Sequence, residues 1–139
     1  MDDRSEACKR LLLDELCLLK AMYKKEELEV NEPQNPAENG QVTQLIFRQQ
    51  SDGIDYEVII HLSSEYPIVL KPSVFVRSSL INCDLLNREL RYFIDQETLG
   101  IPLILIIIQW ISDNINRFKV KFQMIFLKIV IFYILKNMR

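Results

Sequence analysis

The chain has 139 residues, enough for one domain and short for two. A chain of this size buries roughly 65–70% of its unfolded surface, so it needs no disulfide or metal staples. With 49% apolar residues, 26% charged residues and a net charge of −2, the composition is globular. It excludes a disordered chain and gives the molecule as a whole no bulk pull toward nucleic acid or anionic membrane.

Three cysteines, Cys8, Cys17 and Cys83, form no CxxC pair, and His61 is the one histidine. A tetrahedral zinc site wants four Cys or His ligands at short paired spacings, which these residues lack. Residues 1–10 are polar and charged, and the leucines after them are interrupted by Asp14 and Glu15. No signal peptide is therefore expected, and the thiols read as free in a reducing compartment, cytoplasm or nucleus.

The periodicity predicts a first helix over 5–24, with Ser5 as its cap. Leu12, Leu16, Leu19 and Tyr23 recur at helical spacing, and Leu13, Cys17 and Leu18 widen the stripe. The pattern is too short for a coiled-coil seam and reads as a core-facing helix. Glu6, Lys9, Arg10, Asp14 and Lys20 are expected in water. Leu28 and Val30 suggest a first short strand. PQNPAENG at 33–40 is a loop, because its prolines and glycine cannot sit inside a regular element. Val42 to Gln49 suggest a second strand, and Ser51-Asp52-Gly53 is a hairpin turn. Ile54, Tyr56, Val58, Ile60 and Leu62 then alternate strictly, with Asp55, Glu57 and His61 on the other face. His61 is thus expected as a surface strand residue.

The stretch EYPIVLKP at 65–72 has prolines near both ends and cannot be a central strand. Val74 to Val76 make a fourth strand. From Asp84 the pattern is helical, through Leu86, Leu90 and Phe93 or Ile94. Gly100-Ile101-Pro102 breaks it, and Pro102 suits the first turn of a last helix carrying Leu103, Ile107, Trp110, Ile111 and Asn114. A helix, four antiparallel strands and two helices predict an α+β fold with the helices on one face of the sheet.

The stretch EYPIVLKPSVFV, with Tyr66, Pro67 and Pro72, resembles the YPxxxxP signature that closes the four-strand meander of RWD domains. LLLDELCLLKAMYKKEELEV resembles the leucine- and acid-rich first helix of that family. IIIQWISDN, with Trp110, resembles its last helix. The resemblance covers residues 7–116. RSSL followed by LN, and then IQWISDN, is most similar to RWD proteins that carry a second, splicing-protein-like domain, and after them to the RWD protein that enhances sumoylation. It implies a domain over 5–116 with the fold of a ubiquitin-conjugating enzyme. Tyr66, Pro67, Pro72 and Trp110 have structural parts in it. Each proline fixes φ and removes a donor, so the chain leaves the sheet as a stiff turn, and Tyr66 can bury its ring and hand its hydroxyl to a backbone partner.

Conjugating enzymes have a His-Pro-Asn stretch and then a nucleophilic cysteine after the corresponding strand. Here the stretch is RSSLINCDLL, with no His-Pro-Asn. Asn82 and Cys83 stand near the right place, yet Asn82 or Cys83 reads first as the cap of the helix near Asp84, and that acid opposes thiolate formation. The three glycines lie in no GxG or GK[ST] setting. The acid pairs Asp14-Glu15 and Glu26-Glu27 are expected on solvated faces. The sequence therefore predicts no catalysis, cofactor, metal, small-molecule substrate or nucleic-acid ligand. The expected function is that of an adaptor or scaffold binding a protein partner through the sheet face or first helix. The resemblance implies partners such as kinase activators, conjugating enzymes or kinetochore components. The alternative is a conjugation factor, either an enhancer that binds a conjugating enzyme or a divergent enzyme using Cys83.

Residues 117–139 change character. They hold six Lys or Arg and no acid, Gly, Pro, Ser, Thr or Ala. Lys128 interrupts an apolar run already shorter than the ~20 residues that a spanning helix needs. Membrane contact by 118–139 is thus weakly supported, as an in-plane helix. The Phe, Ile, Lys, Asn, Tyr and Met bias favours translation of an AT-rich stretch such as a retained intron, in which case the family's second domain would be missing. The segment is expected to lie outside the domain.

Overall fold

A computed structural model describes residues 3–33, 43–120 and 122–138. The order is α1 (Asp3–Met22), β1 (Leu28–Asn31), β2 (Thr43–Ser51), β3 (Ile54–Leu62), β4 (Ser73–Arg77), α2 (Cys83–Gln96) and α3 (Ile104–Asn114). A 3-10 turn (Ile115–Phe118) and α4 (Phe122–Asn137) follow. The four strands form one antiparallel meander in sequence order. The fold is α+β with the shape of a ubiquitin-conjugating enzyme.

Period-2 alternation places the sheet. Leu45, Phe47, Ile54, Tyr56, Val58, Ile60, Leu62 and Val76 are buried on the inner face. The helices close over them with Leu16 and Leu19 of α1, Leu86, Leu90 and Ile94 of α2, and Ile104, Ile107, Ile108 and Ile111 of α3. Asp52 and Gly53 both have positive φ (52° and 78°) and join β2 to β3 in a two-residue turn with Ser51 opposite Ile54. That backbone matches strand twist, and Asp and Gly tolerate it. The outer edge of β4 is closed by a side chain. Asn87 of α2 accepts from Val76 N–H (2.7 Å) and donates to Val76 C=O (3.0 Å), standing in for the next strand.

Several expectations need correction. Ser5 lies inside α1, and Leu13, Cys17 and Leu18 are exposed, so the buried stripe is narrower than the leucine pattern suggests. Pro102 precedes the N-cap Leu103 of α3 and stands outside its first turn. The alternation of β3 is not strict, because Ile59 is only 5% exposed on the face it shares with Glu57 and His61. The loop at 33–40 lies, from residue 34, outside the described residues, as does Val42.

Beyond 116 the chain stays packed for a short distance. Phe118 is 5% exposed within the core cluster. Asn82 N–H donates to Phe118 C=O (2.8 Å), Val120 N–H donates to Leu80 C=O (2.9 Å), and Ile81 and Lys119 form an antiparallel bridge. Backbone pairing alongside residues 80–82 thus carries the fold past the helix end on which the sequence reading stopped.

Candidate functional site

The YP turn begins as β3 ends. Tyr66 N–H donates to Ser63 C=O (3.2 Å), while Val69 and Leu70 N–H both reach Glu65 C=O (2.9 and 3.2 Å). The Tyr66–Pro67 peptide is cis. This compact turn swings the Tyr66 ring into the core, where it is 1% exposed. Its hydroxyl accepts from Leu103 N–H at 2.8 Å and donates to Glu15 Oε1 at 2.7 Å. Glu15 Oε2 accepts from Ile104 N–H at 3.1 Å.

Glu15 was expected in water beside Asp14, and the structure overturns this, since it is 5% exposed. The reason lies at the start of α3. The first N–H groups of a helix have no partner within it, and they carry the positive end of its dipole. Glu15 and Tyr66 satisfy two of them and so tie α1 and the YP turn to α3. Burial pushes the Glu15 carboxyl above its ordinary value, while the bonds from Tyr66 and Ile104 pull the other way. Burial and the neighbouring Glu15 charge raise the Tyr66 hydroxyl well above the usual phenol range. The hydroxyl has the backbone partner expected of it, and the carboxylate is the partner the sequence reading missed. Among the described residues no buried side-chain polar atom lacks a bond, so the node is a closed joint with no free valence for a substrate.

The other signature residues also sit at joints. Pro67 C=O accepts from Gly100 N–H (2.9 Å), and Gly100 has φ +95° where the chain turns into α3. Pro72 is buried just before β4. Trp110 is half-buried and stacks on Phe93 at 5.4 Å, joining α3 to α2.

Where a conjugating enzyme would hold its nucleophile, the chain makes a helix start. Asn82 is the N-cap of α2, its side chain accepting from Leu85 N–H at 3.2 Å. Cys83 is half-buried, and its Sγ donates to Ser78 C=O (3.2 Å) and accepts from Ser78 N–H (3.4 Å). Both of these bonds are to Ser78. His61 pairs with Ser73 at the far end of β4, whereas Ser78 bonds Asp55 C=O, so roughly 20 Å of strand separates imidazole from thiol. Among the described residues no three His, Cys, Asp or Glu side chains cluster to hold a metal ion.

The sheet's outer face is the other surface that the sequence singled out. Strand register aligns three rows across it: Gln44, His61 and Ser73; Ile46, Ile59 and Phe75; Arg48, Glu57 and Arg77. The middle row is apolar, and Phe75 is 39% exposed. The charged row is a ladder in which Glu57 bonds Arg77 at 2.9 Å and Arg48 at 3.7 Å, and Arg48 reaches on to Glu29 at 3.8 Å. A cleft of about 730 Å³ opens at its hairpin end, lined by Arg48, Asp55, Glu57 and Arg77, charges largely paired with one another. On α1 the exposed apolar residues are Leu13, Leu18 and Met22.

A helix, a four-stranded antiparallel meander and two closing helices, with a capped helix start where the nucleophile would be, define a ubiquitin-conjugating-enzyme-like fold without that enzyme's constellation. A profile of the RWD domain matches residues 10–115, most of the chain, and the chain belongs to the RWD domain family. No curated protein matches it, and no solved structure does. RWD domains are in general non-catalytic and mediate protein–protein interaction.

Proposed function

We propose that this protein is a non-catalytic adaptor or scaffold that docks a partner protein on the outer face of its sheet, in the cytoplasm or nucleus. The observation that carries this reading is the apolar row Ile46, Ile59 and Phe75, opened to solvent mainly at Phe75, between the Arg48–Glu57–Arg77 ladder and the polar row Gln44, His61 and Ser73. An apolar centre with a polar rim is the usual anatomy of an interface. The frame is held by register and ion pairs, so little side-chain freedom is lost when a partner seats on it. The exposed side of α1 offers Leu18 and Met22, without a comparable frame.

The test is affinity capture with the full chain, comparing wild type with Phe75→Asp and Leu18→Asp. Both positions are exposed, so neither change disturbs the core. The expected result is a specific partner retained by wild type and Leu18→Asp and lost by Phe75→Asp. Loss in Leu18→Asp alone would move the site to α1, and retention in both would refute these two surfaces.

A further inference from the structure

We propose that α4 is a membrane-surface helix, and that its partner is an anionic bilayer. Its residues from Leu127 to Asn137 are exposed, apart from half-buried Val130. Leu127, Ile129, Phe132, Tyr133 and Leu135 are each 58% exposed or more, and they point in several directions around the helix. One flat protein face leaves much of such a helix bare, whereas the boundary of a bilayer, into which it can sink, covers more of it. No helix among the described residues is long and apolar enough to cross a membrane. With 16 residues α4 is about 24 Å long, so it lies along the surface. Lys128 and Lys136 fall on one side, where their ammonium groups reach the phosphate level while their stems stay in the apolar layer.

Charge complementarity points to an anionic bilayer. Residues 121–139 carry four Lys or Arg and no acid. Residues 1–120 hold 13 Lys or Arg against 19 Asp or Glu. An anionic surface therefore attracts the tail and repels the domain, and repulsion beyond roughly 8–10 Å is screened by salt. The molecule would stand with its tail on the membrane and its domain turned to water, ready for a partner.

The test is flotation of the full chain with phosphatidylcholine vesicles, with and without phosphatidylserine, at low and high salt. The expected result is binding to the phosphatidylserine vesicles alone, weakened by salt, and reduced at least ~10-fold in Lys128→Glu/Lys136→Glu with an unchanged thermal melt. Three results would overturn the proposal: no binding to either vesicle, equal binding to both, or concentration-dependent self-association without vesicle binding.

Discussion

The helices α3 and α4 are both rich in Ile and alike in apolar content, and they meet opposite fates. In α3, Ile104, Ile107, Ile108 and Ile111 are buried, whereas Ile129, Ile131 and Ile134 of α4 are about half exposed or more. Apolar content does not separate the two; patterning and anchoring do, since α3 sets Gln109, Ser112 and Asp113 apart from its buried isoleucines. The first N–H groups of α3 are held by Glu15 and Tyr66, and its stacked Trp110 joins it to α2. Hydrophobicity supplies the drive to be covered, and the polar joints decide which helix the domain covers.

The contrast breaks most visibly on deleting matched side chains. Ile107→Ala should cost about 2–5 kcal/mol by leaving a cavity at a fully buried site, while Ile134→Ala, at 51% exposure, should stay within ~0.5 kcal/mol. Urea unfolding of the two variants measures this.

Removing the anchor comes next. Glu15→Ala strands the Tyr66 hydroxyl and the Ile104 N–H in the core and should cost about 2–4 kcal/mol. Glu15→Gln should cost less, because the amide keeps one acceptor. The carboxyl also gives a pH signature. Its folded value is raised above 4.5, so the native state holds a proton that the unfolded chain has released. The stabilisation from this site is present below pH 4.5 and is lost as pH rises through the folded value. A stability–pH curve over that window should fall in wild type and flatten in Glu15→Gln.

A smaller effect is expected from Asn82→Ala, which removes the N-cap of α2 and should cost about 1 kcal/mol in thermal or urea melts. Smallest of all should be truncation after Val120, which removes α4, keeps the cooperative melt and raises solubility. Truncation three residues earlier, after Arg117, also removes Phe118 and should cost about 3 kcal/mol. Equal melts for the two truncations would show that the chain past 117 contributes nothing to the fold.

Much of this architecture was legible in the sequence because it rests on local periodicity. The hairpin at Asp52-Gly53, the strand Ile54–Leu62 and the cap at Asn82 are each written in a few neighbouring residues. Glu15 was not legible. Its partners Tyr66 and Ile104 lie 51 and 89 residues away, and a charged residue beside Asp14 on a helix ordinarily faces water. Ile59 was missed because a strict alternation hid an apolar residue on the polar face. Phe118 was lost among Lys and Arg, since its burial depends on backbone pairing with residues 80–82 that no local pattern announces. The candidate surface was legible only as a face; strand register had to align Ile46, Ile59 and Phe75 into a row.

Whether the domain binds rather than catalyses is tested most directly by thioester charging. The full chain is incubated with an activating enzyme, ATP and ubiquitin or SUMO, beside an active conjugating enzyme as control. The prediction is a reductant-sensitive adduct on the control and none on this chain, because Cys83 is bonded to Ser78 and the one histidine, His61, lies at the other end of the strand. An adduct on the chain that is removed by reductant and lost in Cys83→Ala would contradict it.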